Sequence, residues 1–520
     1  MNNFAVKFNF WTNRVLLSLV IIELFLFPEL ITIFGCFYCL FGWYIISSVV
    51  ISTTNFLSFP ISSFMLLGYG ICSFLLPIPA TLLDGNPITY RLIIPEMVFF
   101  HGVLTVLIVV LAYLTYVQLN QNISNETILR KLLKFAKIYD TPTDLQIWIM
   151  GFFGIVTQLY TFINGNNISE NVSSTDKFLD GFSLLAYAPY YLIFKNIYSR
   201  FKPSTLTRPQ ILIYLFYSVA ILVIALMSNH RATFMKAIMG VGFVYLLGLF
   251  MGRFSRNVLS RRNIIIGGIL IFFLTGPLAN LGTAMVIVRS QKKSLTSSEL
   301  VEKTLETYFD NNAITRYQEI FKGRVIPNPL WNEHYVSNIF LGRLSNLKAV
   351  DLSLQHAERV KNTERMRDFF FKQIVSLLPS PILSYLDLKI DKAFVTKASY
   401  GDYLYYLSSG DYHGLESKRQ AQLSGAGMSA FGYFYLVVLF LVLIPLFGLL
   451  DLLTFKQNGL MFISITALTS ISSFFTFFNH EGISTFVLFS LRGWIQLVAL
   501  YFFVFVITKP FSRLLNRFMS

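Results

Sequence analysis

The chain has 520 residues, of which 54% are hydrophobic, 16% aromatic and only 13% charged. Soluble domains carry about 25% charged residues, so this composition excludes an ordinary soluble enzyme and points to a bilayer. The net charge of +15 does not indicate nucleic acid, because the cations sit in loops with no base-stacking aromatics among them.

Apolar runs long enough to cross a membrane, about 20 residues each, fall at 13–28, 31–51, 61–79, 97–118, 146–164, 179–197, 209–228, 232–251, 264–288, 429–451, 459–479 and 483–508. These runs predict twelve spans. The first is followed by another apolar run with no small-residue cleavage site, so it reads as a retained signal-anchor. Cys36, Cys39 and Cys72 lie inside spans without His or acidic neighbours, and read as core packing rather than a metal or redox site. The sequons at Asn122, Asn125, Asn167 and Asn171 are expected by chance in so Asn-rich a chain.

Loop charge then sets the orientation. With the N-terminus cytoplasmic, the inner segments hold seventeen Lys and Arg, from Lys7 and Arg14 through the Arg130–Lys137 cluster to Arg513 and Arg517. The short outer loops hold three: Arg91, Lys177 and Arg231. Cytoplasmic loops concentrate basic residues, so both termini are expected inside.

The segment 289–424 differs in kind. It has 19 Lys and Arg against 15 Asp and Glu, and is too long for a structureless loop. Thr296 to Glu299 spells a capping box before Leu300, Val301, Leu305 and Tyr308 at helical spacing. A second helix opens near Asn362 or Thr363. It sets Met366, Phe369, Phe370, Ile374 and Leu377 on one face and Arg365, Arg367 and Lys372 elsewhere, the pattern of a helix lying on a lipid surface. The expected fold is therefore all-α: a polytopic membrane helical bundle of about 12 transmembrane helices with one large helical extracytoplasmic loop. Its parts are 1–288 with about nine spans, 289–424 outside, and 425–520 with about three spans.

Candidate chemistry lies on the outer side. The tight turn in "ALMSNHRATFMK" presents His230 and Arg231, and Lys236 can snorkel up to the same surface. These side chains either cap helix ends or clamp an anion, for which an Arg fork suits phosphate oxygens. Arg492 sits about ten residues inside the last span, where a charge is costly unless paired or wetted. It either pairs with Glu23, Glu29 or Glu481, or joins His480 and Glu481 of "FNHEGIS" in a second outer cluster. In "NIFLGRLSNLKAVDLSLQHAERV" a helix would carry Arg343, Asp351 and His356 beside a leucine stripe, with Lys348 and Asp351 able to pair. No Walker A motif, dinucleotide loop, nucleophile elbow or metal-ligand spacing occurs, and the inner loops are too short for a nucleotide domain.

Three features together carry a resemblance: the Arg after "ALMSNH", one large outer loop between late spans, and "GAGMSAFGYFY" leading into the tenth span. In these the chain resembles the bacterial O-antigen polymerases, which join lipid-linked oligosaccharide repeat units. The resemblance implies an inner-membrane glycosyltransferase acting on undecaprenyl-diphosphate-linked oligosaccharide, metal-independent and without cofactor. A chain-length regulator and a flippase of the same pathway would be its partners. Arg231 matches the arginine of the short outer turn, and Arg343 a basic residue of the large loop. Arg365 joins them as a basic residue for substrate binding. The related O-antigen ligases place a His just before the span that follows the loop, whereas "DYHGLESKRQAQ" sets His413 well before it. Asp351, His356, His480 and Glu481 are the candidates for the base that takes the acceptor hydroxyl's proton. Tyr335, Tyr400, Tyr403, Tyr405 and Tyr406 either stack on sugars or pack a core. A ligase-like transferase and a lipid-linked glycan flippase or exporter remain the alternatives.

Overall fold

A computed structural model describes residues 3–51, 54–120, 127–165, 179, 181–200, 207–254, 261–291, 294–321, 331–345, 347–360, 363–480 and 482–519. The fold is all-α apart from one two-stranded hairpin among the described residues. Among the described residues eight helices are long and apolar enough to cross a membrane: Phe4–Leu26, Leu30–Val50, Pro95–Asn120, Arg208–Met227, Ala232–Phe250, Gly267–Val288, Leu423–Asp451 and Ile483–Leu514. A ninth is present if Pro60–Leu75 and Pro77–Leu83, bent by 41° at Pro77, count as one. Exposed side chains such as Phe25 and Phe216 give these helices apolar outer faces that suit lipid.

Of the twelve expected spans, 61–79 is the bent pair, 146–164 is a helix, Asp144–Gly165, outside those eight, and 179–197 and 459–479 are not long helices. Run 459–479 follows Asn458-Gly459, both with positive φ (50° and 76°), the pair that favours a two-residue hairpin turn. Thr454–Gln457 and Leu460–Ile463 accordingly pair antiparallel, Phe455 opposite Phe462. The remaining apolar residues form three short helices, Ile465–Thr469, Ile471–Phe475 and Phe477–His480. Run 179–197 is a tight 3-10 stretch, Ser183–Phe194, ending in one α-turn, Lys195–Tyr198. Pro189 inside it has no N–H to give an α-ladder. The Asp144–Gly165 helix lies along this stretch, with Gly154 so close to Ala186 that a Cβ there would sit 2.1 Å from its backbone nitrogen.

The chain divides into two compact units, each made of three stretches: Met1–Ile123, Arg324–Asp451 and Phe474–Trp494 in the first, Ser124–Gly323, Leu452–Ser473 and Ile495–Ser520 in the second. Segment 289–424 is helical but shared, its residues to Gly323 belonging to the second unit and those from Arg324 to the first.

In the first unit, buried Asp451 closes a long-range lock. Its Oδ1 accepts the backbone N–H of Ile61 at 3.0 Å and of Ser62 at 3.2 Å, and its Oδ2 accepts the Tyr116 hydroxyl at 3.0 Å. A carboxylate there satisfies the free donors and positive end of the helix that opens at Pro60. In the second unit, Gln146 donates to the Phe505 carbonyl at 2.9 Å and the Thr508 hydroxyl at 3.0 Å.

Candidate functional site

The Leu347–Arg359 helix carries Lys, Asp, Ser, Gln and His, yet ten of its 13 residues are buried. A helix so polar and so enclosed is the informative anomaly of the first unit. It packs against Pro95–Asn120, Tyr400–Ser409 and Leu423–Phe431. Asp351 Oδ1 accepts the N–H groups of Ile93 and Ile94, each at 2.8 Å, while Oδ2 accepts from Lys348 Nζ at 2.6 Å. Burial pulls the Lys348 pKa down and Asp351 opposes it. Asp351 therefore clamps the entry to the Pro95–Asn120 span, its lone pairs committed to structural donors.

Residues 84–94 are pinned along their length. The Ile88 N–H donates to Glu23 Oε1 at 2.6 Å, and the Tyr335 hydroxyl donates to the Ile88 carbonyl at 2.6 Å. Asp84 accepts from the Ser337 N–H and hydroxyl. Arg91 holds a left-handed backbone, φ 62°, and donates from Nη1 to the His334 carbonyl at 3.4 Å.

His356, the tenth residue of this helix, is buried. Its Nδ1 lies 2.6 Å from Ser408 Oγ, and its buried Nε2 has no hydrogen-bond partner. Trp331 stacks on the imidazole at 4.9 Å and Tyr405 meets it edge-on at 5.4 Å. Burial, then the charges of Arg359, Arg419 and Lys348, push its pKa down to about 4, so the ring is neutral at physiological pH. Arg419 is held by an ion pair with Asp402 at 3.3 Å and by the Tyr405 ring at 4.0 Å.

In the second unit, the turn after Met227 places Asn229 at φ 47° and hands the chain to the helix Ala232–Phe250. His230 is exposed, and its Nδ1 lies 3.1 Å from Thr233 Oγ1. Arg231 is half-buried. Together with Arg289 it acts on the Tyr317 phenol, whose pKa burial raises and the two guanidiniums lower. Asn229 is 3% exposed, and neither polar atom of its amide has a hydrogen-bond partner. Arg231 on the turn and Arg289, exposed just after the Pro277–Val288 helix, thus both act on the half-buried Tyr317 phenol.

The chain matches no family model, no curated protein and no solved structure.

The other expected site residues fall as follows. Arg343 is exposed at the end of the short Ile339–Leu344 helix, and Arg365 is exposed on Thr363–Val375. That second helix does not lay its apolar face on lipid. Met366, Phe369 and Phe370 are buried, Phe369 against Tyr403 at 4.3 Å and Phe370 against Phe431 at 5.1 Å. Arg492 is exposed in the π-turn Phe489–Gly493, and no ion pair joins it to Glu23 or Glu29. Glu481 and the side chain of His480 lie outside the described residues. Lys236 is half-buried one turn into its helix. Of the tyrosines, Tyr335, Tyr400 and Tyr405 are buried core. Among the described residues no three His, Cys, Asp or Glu side chains gather to hold a metal ion.

Sequence reasoning passed over Arg289, Trp331, Arg91 as more than a topology marker, and His101. His101 carried a signal: an ionisable ring within an apolar span marks function by default.

Proposed function

We propose that the chain is a membrane glycosyltransferase that polymerises undecaprenyl-diphosphate-linked oligosaccharide repeat units into O-antigen, capsule or exopolysaccharide at the outer face of a bacterial inner membrane. In this reading both termini are cytoplasmic and segment 289–424 lies outside. Its partners are the flippase and chain-length regulator of the same pathway. The observation that supports it best is that Arg231, on the turn between two apolar helices, and Arg289 both act on the half-buried phenol of Tyr317.

An acceptor hydroxyl oxygen attacks the anomeric carbon of the donor, and the bond from that carbon to the diphosphate oxygen breaks. The electron pair leaves with the lipid diphosphate, and charge grows on its oxygens. Guanidiniums fixed in a dry setting stabilise such charge best. The hydroxyl's proton needs a base. Of the candidates for that role, Asp351 and His356 belong to the first unit and Arg231 and Arg289 to the second, so the reading assigns the base to none of them.

The test is elongation in detergent. Purified protein supplied with native lipid-linked repeat units should give a product ladder without nucleotide, ion gradient or divalent metal. A flippase has no two sides to work between in a micelle and would return the units unchanged, which would overturn the reading.

A further inference from the structure

The first unit encloses a cavity of about 40 Å³ whose lining includes Tyr38, Tyr69, Thr105, Gln422, Ser424 and Asn479. It lies over the first turns of Pro95–Asn120, at the start of Leu423–Phe431 and against Leu347 and Val350 of the buried polar helix. Among the described residues no charged side chain lines it. Amides, hydroxyls and aromatic rings do, which is an unusual lining for a space among apolar helices.

Its polar groups are organised. Gln422 Nε2 donates to the Asn479 carbonyl, and Asn479 Nδ2 donates to the Leu344 carbonyl at 3.4 Å. These bonds fix the Asn479 amide and leave its buried Oδ1 with no donor. A buried acceptor without a donor is costly, and Asn479 is among the residues that line the cavity. Behind the wall runs a chain of hydroxyls. Thr105 Oγ1 lies 3.2 Å from the Tyr435 hydroxyl, which lies 3.0 Å from Nδ1 of buried His101. The His101 ring is stacked on Tyr433 at 5.5 Å, and its other nitrogen has no partner. Each hydroxyl in this chain can donate in either direction, so Thr105 can present a lone pair or a proton to the cavity.

We propose that this cavity is a binding subsite for one edge of an uncharged sugar, a hydroxymethyl arm or a pair of ring hydroxyls, donated to Asn479 Oδ1 and answered by Thr105. A space of this size holds one or two water-sized groups, so the rest of the ring stays at the mouth. The described lining residues offer no cation for a phosphate and no counter-charge for an acidic sugar, whose carboxylate would be left desolvated. The inference goes beyond the proposed polymerase, since it concerns neutral sugar binding and needs no lipid diphosphate.

The test is saturation-transfer NMR on the full chain in detergent, using methyl glycosides of glucose, galactose and N-acetylglucosamine, with glucuronate as the charged comparison. The wild-type protein should bind at least one neutral glycoside at millimolar concentration and glucuronate at least fivefold more weakly. Asn479→Leu should weaken the neutral sugar at least fivefold. Thr105→Val keeps the shape of the side chain, and should weaken it severalfold while leaving the elution volume and helical content unchanged. It therefore keeps the question open to an answer if Asn479→Leu does not fold. No neutral glycoside bound by the wild type, glucuronate bound as well as glucose, or unchanged binding in Thr105→Val would each overturn the subsite. A polymerase that elongates its substrate yet fails this test would lose only the subsite, and a sugar-binding chain that never elongates would keep it.

Discussion

Ser353 and Gly425 meet so closely that a Cβ added to Gly425 would lie 2.4 Å from both Cβ and Oγ of Ser353. Small residues let helix backbones approach in this way, and here they let the Leu347–Arg359 helix sit inside the first unit. The "GAGMSA" stretch thus has a packing reason. Gly425→Ala should lower stability by about 1–3 kcal/mol, the range for overpacking a filled contact. Gly242 has no neighbour within 4 Å of such a Cβ, and Gly242→Ala should be neutral or stabilising by up to about 1 kcal/mol, as alanine in a helix predicts. Thermal unfolding of both purified variants checks the pair. Equal midpoints would mean that the two helices are not in contact.

Asp351 and Lys348 form an ion pair of which the carboxylate side chain is 0% and the lysine side chain 7% exposed. Breaking such a pair from one side typically costs roughly 3–5 kcal/mol. Asp351→Asn strands the ammonium and should fall in that range. The double variant Asp351→Asn with Lys348→Met keeps an oxygen for the Ile93 and Ile94 N–H groups and removes both charges. It should recover more than half of the loss. A double variant no better than the single would show that the backbone bonds, not the pair, dominate.

His356 makes the fold acid-sensitive. In the folded chain its pKa is about 4, against an ordinary value of 6.5. Between those values the unfolded chain binds the proton and the folded one does not, so stability present above pH 6.5 is lost as pH falls towards 4. The full shift corresponds to about 3 kcal/mol. Melting midpoints followed from pH 7.5 to 4.5 should drop, and His356→Gln should drop less steeply. Parallel curves for the two proteins would remove His356 as the cause.

Much of this was legible in the sequence because apolar run length and helical spacing are local properties. The Thr296–Glu299 capping box formed as written, Thr296 and Glu299 bonding reciprocally. The hairpin was equally local, in "QNGL", but an apolar count over 459–479 outweighed a two-residue turn signal. What the sequence could not give was tertiary assignment. Asp351 and Glu23 look like free carboxylates in the chain, and only folding brings the N–H groups of Ile93, Ile94 and Ile88 to them. The same holds for Arg289, which lies 58 positions from Arg231 in the chain and has no motif to connect them.

That arginine pair gives the last prediction. Arg231 and Arg289 act on one half-buried phenol, Tyr317. If they hold a diphosphate, Arg231→Ala and Arg289→Ala should each abolish polymer while expression and membrane insertion stay normal. Arg231→Lys should restore little, because an ammonium is a point charge and cannot replace a planar two-donor fork. Tyr317→Phe removes the hydroxyl but keeps the ring, and should leave most activity if the phenol only packs against the guanidiniums. Polymer length on gels, read beside protein level in the membrane, measures all four. Full-length polymer from Arg231→Lys would reduce Arg231 to an interfacial cation, and the diphosphate site would then have to be sought elsewhere.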